Sequence, residues 1–368
     1  MRRVVIYPGR IAVETADIPA PGPSEALIRT LVAGVCGSDL HAAHGRHPFV
    51  ALPYRPGHEV VGVVERAGPG ADCTPGQRVT VAPFLPCWAC KMCTSGRENL
   101  CENLGFFGCG HSQGGMADHF TLAADRLYPV PEALDDHAAA LIEPLATPVH
   151  AVRLAGDVAG RSVAVLGAGT IGLLTLTVLR AHGAAKVIST DPNPGKRARA
   201  AALGADATID ARTPDVARQV RRELGGSADI VFDCVAVQSS MDQAIAMADK
   251  GGTVVVVGVP ATDVTVPLPL IQDHQIRIQG SATYLPEDFR ESAELLRAGV
   301  VTTADFVTAT RPLAQVAEAF ELAASGNHVK VLLTVGERLR CITRYEQSAR
   351  SYSNQSTRLG ASVIPTQG

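Results

Sequence analysis

The stretch "SVAVLGAGTIGLLTLTVLRAHG", Ser162 to Gly183, decides the fold. A short run of apolar residues leads into three glycines, Gly167, Gly169 and Gly172, in G-x-G-x-x-G spacing, and a helix-forming apolar segment follows. In this arrangement the first glycine makes the turn, the second lets the backbone approach a pyrophosphate and the third allows close helix packing. The phosphate charge then rests on the helix N-terminus. On the C-terminal side the alternation continues: "KVISTD" reads as a strand and "PGKRARAAALGA" as a helix. "ATID", "ADIVFDCV" and "GTVVVVGV" are further strands, with helices at "DVARQVRRELG" and "SSMDQAIAMADKGG". Strands alternating with helices at this spacing predict a parallel, doubly wound α/β sheet that binds a dinucleotide. Asp191 ends the strand after the turn, nineteen residues past Gly172, where a carboxylate accepts hydrogen bonds from an adenosine ribose diol. The same carboxylate repels a 2'-phosphate, which favours NAD over NADP, while the neighbouring Lys196 and Arg197 could partly neutralise one. Asp191 also reads as a helix N-cap in "DPNPGK", and the two roles are compatible. The predicted cofactor contacts are Gly167, Gly169, Thr170, Ile171, Gly172 and Asp191.

Upstream, "CWACKMCTSGRENLC" (87–101) holds four of the nine cysteines of the chain. Its C-x-x-C-x-x-C-x7-C spacing gathers four soft sulfur ligands in one loop, as a tetrahedral structural zinc requires. Four thiolates fill the coordination sphere, so Cys87, Cys90, Cys93 and Cys101 are predicted to steady a lobe and leave no position for substrate. Redox thiols or another metal are the alternatives. Reduced thiols imply a reducing compartment. The N-terminus has no apolar run of secretory length, and no stretch reaches the roughly 18 apolar residues of a membrane span. The expectation is a cytoplasmic chain with no membrane partner.

The 368 residues, 46% hydrophobic and with a formal net charge of -3, suit a globular protein of about two domains. No basic run occurs and aromatics are only 4%, so nucleic acid is not expected as a partner. Up to about residue 150, Pro and Gly interrupt short β-rich pieces such as "EALIRTLVAG", "EVVGVVERAG" and "QRVTVAPF", the texture of an irregular barrel. After Tyr284, "PEDFRESAELLRAG" and "PLAQVAEAFELAASG" read as amphipathic helices and "KVLLTV" as a strand returning to the first domain. The predicted divisions are 1–150, 151–283 and 284–335, followed by a polar, disordered tail at 336–368.

Two further stretches, "GVCGSDLH" (Gly34 to His41) and "PGHEVVG" (Pro56 to Gly62), precede the cysteine cluster. In this order, with the cluster and the glycine turn, they resemble the zinc-dependent medium-chain alcohol dehydrogenases over residues 1 to about 335. The resemblance implies a Rossmann sheet inserted in a GroES-like β-barrel catalytic domain, two zinc ions per subunit, and a homodimer or homotetramer joined through the Rossmann sheets. "GTVVVVGV" is compatible with such a junction. It also implies that Cys36 and His58 ligate a catalytic zinc with Glu59 as the acidic ligand. "EPLATPVHA" (143–151) is similar to the stretch that places a second glutamate, here Glu143, at that metal. Simple alcohol dehydrogenases carry a cysteine ligand in this region, so the match is to the polyol branch: sorbitol or L-iditol, butanediol and threonine dehydrogenases. The other reading of Glu143 is a helix-end residue fixed by the following proline.

An open zinc position acts as a Lewis acid that lowers the pKa of a bound hydroxyl. The implied reaction is oxidation of a secondary alcohol or polyol to a ketone, with hydride passing to NAD. By the same resemblance Ser38 takes the hydroxyl proton and His41 passes it to solvent. Alternatives are L-threonine 3-dehydrogenase and, from another class, a non-catalytic dinucleotide-binding sensor. His44, His47 and His111 lie in loops that could line the cleft, and Cys73, Cys109, Cys234 and Cys341 read as incidental thiols.

Overall fold

The structure is a computed structural model that describes residues 1–45, 47 and 50–336; the expected tail at 337–368 lies outside the described residues. The strand Glu25–Val35, eleven residues long and almost wholly buried, organises the N-terminal half. It pairs antiparallel with Val60–Ala67, His119–Ala123 and Lys330–Thr334. The resulting seven-stranded sheet also takes in Arg78–Val81, Leu127–Pro129 and Val307–Pro312. A strand from near the C-terminus therefore lies beside one from the N-terminus, with Val331 opposite Val35.

The second sheet has six parallel strands in the order Ala207–Ile209, Lys186–Thr190, Ser162–Leu166, Ala228–Asp233, Ala248–Val256, Arg277–Gly280. This is the doubly wound order whose direction reverses between Ser162–Leu166 and Ala228–Asp233, the place where such sheets take their ligand. The fold class expected from sequence is the one observed: a dinucleotide-binding α/β sheet set within a barrel-like β half.

Helix α1 (Gly37–Ala43) follows Cys36 directly. Helix α2 (Ile142–Ala155) is buried along most of its length and spans position 150, where sequence texture put a domain division. The core it belongs to is continuous, running from Leu31, Val61 and Phe84 of the barrel half to Val163, Phe232 and Val255 of the parallel sheet. Helix α3 (Thr170–Ala181) starts at the glycine turn and is buried at Gly172–Leu179, which explains its unbroken apolar sequence. Helices α4 (Pro194–Ala202) and α5 (Pro286–Arg297) complete the elements that shape the site.

Two local expectations differ from what is found, and one strand was not anticipated. The helix read into "SSMDQAIAMADKGG" stops at Met247, and Ala248 already begins a strand with an irregular register opposite Ala228. Arg277–Gly280, exposed on most of its length and lacking alternation, forms the outer strand of the parallel sheet. "GTVVVVGV" is accordingly an interior strand and not the sheet edge.

Candidate active site and metal centres

The four clustered cysteines converge. Cys90 Sγ lies 3.5 Å from Cys93 Sγ and 3.9 Å from Cys101 Sγ. Zinc–sulfur bonds of about 2.3 Å in a tetrahedron separate the sulfurs by about 3.8 Å, whereas a disulfide needs about 2.05 Å. The donor set thus fits a four-thiolate metal and not two disulfides. Backbone N–H groups of Cys87 and Asn103 donate to Cys101 Sγ at 3.2 and 3.3 Å. Backbone donors from Cys93 and Glu102 pull Cys90 down to about 6, and desolvation pushes Cys93 up to about 12.

The second cluster is built by strand pairing. Ala33 stands opposite Val60, so Cys36, just past the end of one strand, meets His58 and Glu59, just before the start of the other. Gly57 adopts φ +109, and a Cβ there would sit 2.3 Å from Met116 N; only glycine makes the turn that presents His58. Gly34 leaves room for the Glu59 carboxylate, whose Oε2 would be 1.9 Å from a Cβ. One ligand atom each from Cys36, His58 and Glu59 lies within 4.8 Å of the others. His58 is 4% exposed and its Nδ1 has no hydrogen-bond partner. A buried imidazole with an orphaned nitrogen beside a thiol and a carboxylate is a mixed S/N/O donor set, which fits zinc with a position left open. Although burial opposes it, Cys36, Asp39 and Glu143 hold His58 well above the usual imidazole range.

Glu59 has a partner that sequence reasoning did not single out. Lys330, 3% exposed along its side chain, places its ammonium 2.5 and 2.7 Å from the two Glu59 oxygens. It also donates to Val35 O at 3.3 Å. The carboxylate read from sequence as an acidic metal ligand is therefore also one half of a buried ion pair. Glu143 lies in the first turn of α2, is 6% exposed, and has the charge of His58 acting on it. Tyr284 donates to Glu143 Oε1 at 2.7 Å, and burial pushes Glu143 up to about 7.

Ser38 Oγ is 3.4 Å from His58 Nε2, within the cluster. His41 is exposed on α1, one turn further. Burial, and then the charges of His41 and His58, depress His47 below the usual imidazole range, so the three rings share one region. Cys109, read as incidental, belongs there too: its Sγ is 4.0 Å from His47 Nε2. Phe106 packs edge-on against His58 at 5.6 Å. His44 instead caps Leu40 O at 2.7 Å, and His111 accepts from Gln113 N at 3.2 Å. Asp39, fully buried, accepts from Cys36 N at 3.0 Å and from Tyr54 at 3.0 Å, fixing the start of α1. Its position three residues after Cys36 is the capping-box spacing, the signal that could have found it.

At the glycine turn Gly167 has φ +89, and a Cβ on Gly172 would lie 1.7 Å from Gly167 O. Gly169, the N-cap of α3, faces open space, the cradle a pyrophosphate requires. Ile171 is half-buried behind it. Thr170 Oγ1 donates to Val329 O, next to Lys330, so the turn adjoins the metal cluster. Asp191 accepts from Ala168 N at 2.9 Å and Asn193 N at 2.8 Å. The N-cap of α4 is Asn193, and Asp191 keeps a free lone pair on each oxygen. Arg197 donates to Asp191 O at 2.8 Å and to Pro192 O at 3.0 Å.

Residues 22–132 match the family model of the alcohol dehydrogenase GroES-like domain, and residues 170–298 that of zinc-binding dehydrogenase. The chain is 35% identical to L-galactonate-5-dehydrogenase of Escherichia coli (strain K12), over 85% of this chain and 92% of that protein. It is 34% identical to sorbitol dehydrogenase of Rattus norvegicus, over 90% and 94%. A crystal structure described as a zinc-binding dehydrogenase from Sinorhizobium meliloti 1021 bound to NADP superimposes with a TM-score of 0.84 at 34% identity, covering 90% of this chain and 98% of that one. Among the described residues no helix is long and apolar enough to cross a membrane.

Proposed function

The chain belongs to the zinc-binding medium-chain alcohol and polyol dehydrogenases, and from that premise we propose that it oxidises a secondary hydroxyl of a small polyol to a ketone with NAD. One observation carries the reading above the others: half-buried Cys36 and buried His58 and Glu59 converge beside the glycine turn. Cys36 and His58 would hold the catalytic zinc, with Glu59 or Glu143 as its acidic neighbour, and the four-cysteine lobe would hold the second ion. Bound there, the catalytic ion would supply Lewis acidity that lowers the pKa of the substrate hydroxyl. Ser38 Oγ, beside His58, accepts the hydroxyl proton, and His41 releases it at the exposed end of α1. Tyr284 holds the Glu143 carboxylate in place, and Phe106 walls the imidazole from water.

Gly167, Gly169, Thr170, Ile171 and Gly172 would cradle the pyrophosphate and Asp191 the ribose diol, which supports NAD over NADP. The proposed divisions are 1–150, 151–283 and 284–335, a reading that the two separate sheets support, with α2 bridging the first pair. A second copy would pair through the exposed edge strand Arg277–Gly280, where Ile278 is 38% exposed, giving a homo-oligomer. Thiolate ligation suits the cytoplasm.

The test is metal analysis of the purified chain together with reduction of NAD over a panel of sorbitol, xylitol, 2,3-butanediol, galactonate and L-threonine. Two zinc ions and turnover of a polyol are expected. No turnover of any alcohol by the doubly loaded enzyme would overturn the proposal, and preference for L-threonine would move the substrate class.

A further inference from the structure

Asn99 lies in the cysteine lobe, between Cys93 and Cys101, yet it is 5% exposed and faces away from the sulfurs. Its side-chain Nδ2 donates to Ala282 O at 3.0 Å and approaches His150 Nε2 at 3.5 Å. Its backbone carbonyl accepts from Thr283 Oγ1 at 3.2 Å. Two consecutive residues, Ala282 and Thr283, are thus pinned by one residue of the lobe.

Thr283 has φ +50. A β-branched residue in the left-handed region persists only where its surroundings hold it there. The next residue is Tyr284, whose hydroxyl bonds Glu143. Four residues on, Asp288 accepts from His150 Nδ1 at 2.8 Å and from Leu285 N at 2.7 Å. Glu143 and His150 are seven residues apart on α2 and so share a face. The segment 282–288 therefore docks on α2 at two points, Tyr284 on Glu143 and Asp288 on His150, and Asn99 closes the link at its strained end. Phe84 and Phe289, each 5.6 Å from the Tyr284 ring, fill the space around it.

We propose that Asn99 is a positioning residue for the catalytic cluster, through which the four-cysteine lobe holds Thr283 in its left-handed conformation and so aims Tyr284 at Glu143. The proposal rests on the reading of Glu143 as part of the site. It gives the lobe a second task beyond steadying its own loop: without the Asn99 amide on Ala282 O the backbone entering Thr283 is released, and even with the Asn99 carbonyl still accepting from its hydroxyl Thr283 relaxes to negative φ, so the Tyr284 hydroxyl swings off the carboxylate.

The experiment compares Asn99→Ala, Asn99→Ala/Thr283→Gly and Glu143→Ala in zinc-loaded enzyme, with kcat, KM and zinc content for each and hydrogen exchange at Leu285 for the first two. Displacement of a positioned group by about 1 Å costs up to about 100-fold in rate, so Asn99→Ala should lower kcat by about 10-fold or more, with KM changed less than about 2-fold and two zincs retained. Exchange at Leu285, whose N–H is held by Asp288, should accelerate in Asn99→Ala. Glycine accepts positive φ without a clamp, so the double variant should recover most of kcat, which simple damage to the lobe would not allow. Unchanged kcat and unchanged exchange in Asn99→Ala would overturn the proposal, as would a loss that Thr283→Gly does not rescue. Full activity of Glu143→Ala would instead sink the site reading, leaving the Leu285 exchange to judge the clamp.

Discussion

Replacing Lys330 by methionine removes the cation from the Glu59 carboxylate and leaves the rest of the strand Lys330–Thr334 unchanged. The two side chains are 3% and 1% exposed, so water cannot take the ammonium's place. Removing one partner of a buried pair costs about 3–5 kcal/mol, because the charge left behind is neither solvated nor compensated. At about 2 °C per kcal/mol for a chain of this size, the unfolding midpoint should fall by about 6–10 °C. Lys330→Met/Glu59→Gln leaves no uncompensated charge and should recover to within about 2 kcal/mol of the parent, so the pair should couple by at least about 2 kcal/mol. Burial works against the ammonium, but Glu59 and Cys36 hold the Lys330 pKa above the ordinary lysine value. Its contribution is therefore complete below the unfolded value of about 10.4 and is lost only as pH rises through the still higher folded one. The gap between parent and Lys330→Met should then stay flat from about pH 6 to about pH 9 and close in stronger alkali. Circular-dichroism melts of the four proteins, with zinc content verified, measure this cycle. A loss below about 1 kcal/mol for Lys330→Met, or strict additivity, would refute the placement of the ammonium on Glu59.

Cys90→Ser should halve the zinc content and lower the unfolding midpoint, since structural zinc contributes folding energy outright, and metal analysis with a melting curve checks both. Asp191→Ala should raise the KM for NAD by about 10-fold or more and narrow the preference over NADP, read from initial rates with each cofactor. Ser38→Ala should lower kcat by about 100-fold or more with zinc content intact, because the proton acceptor is lost while the ligands stay. In metal-free protein the Glu143 carboxyl, raised to about 7, favours the folded state below its ordinary range and loses that contribution as pH rises through 7. Glu143→Gln should therefore gain stability relative to the parent between about pH 4.5 and about pH 7, by up to about 1.4 kcal/mol per pH unit, and no further above that, measurable by denaturant titration at each pH.

What could be read from the sequence was local. The glycine turn, the cysteine lobe and the segments around Cys36 and His58 each declare themselves within about a dozen residues, because their chemistry depends on close spacing. Lys330 could not be found this way: it opens "KVLLTV", which reads as an ordinary strand, and only antiparallel pairing with Glu25–Val35 brings it 271 positions back to Glu59. Tyr284, which reaches Glu143 across 141 positions, and Asn99, which reaches Ala282 across 183, were hidden for the same reason. Arg277–Gly280 escaped notice because an exposed edge strand carries no alternating pattern, and the stop at Met247 because Ala248 and Lys250 are good helix formers yet are taken up by the sheet, with Gly251 and Gly252 the one local sign against the helix.

The charges of the cluster account for its composition. Lys330 cancels Glu59, which leaves the Cys36 sulfur and the Asp39 and Glu143 carboxyls facing a His58 ring that, although burial opposes it, they hold well above the usual imidazole range. Glu143 is held up to about 7, with burial as the largest cause, His58 opposing it and the neighbouring Glu59 adding to it. A divalent ion held there would favour the ionised carboxyl and the unprotonated imidazole, so metal uptake near neutral pH should release protons from Glu143 as well as from His58. Removing the carboxyl isolates its share: Glu143→Gln should release fewer protons per catalytic zinc than the parent when zinc is titrated in lightly buffered solution at about pH 6. Equal release from the two proteins would mean that Glu143 is already ionised in the metal-free pocket, and that Lys330 neutralises more than Glu59 alone.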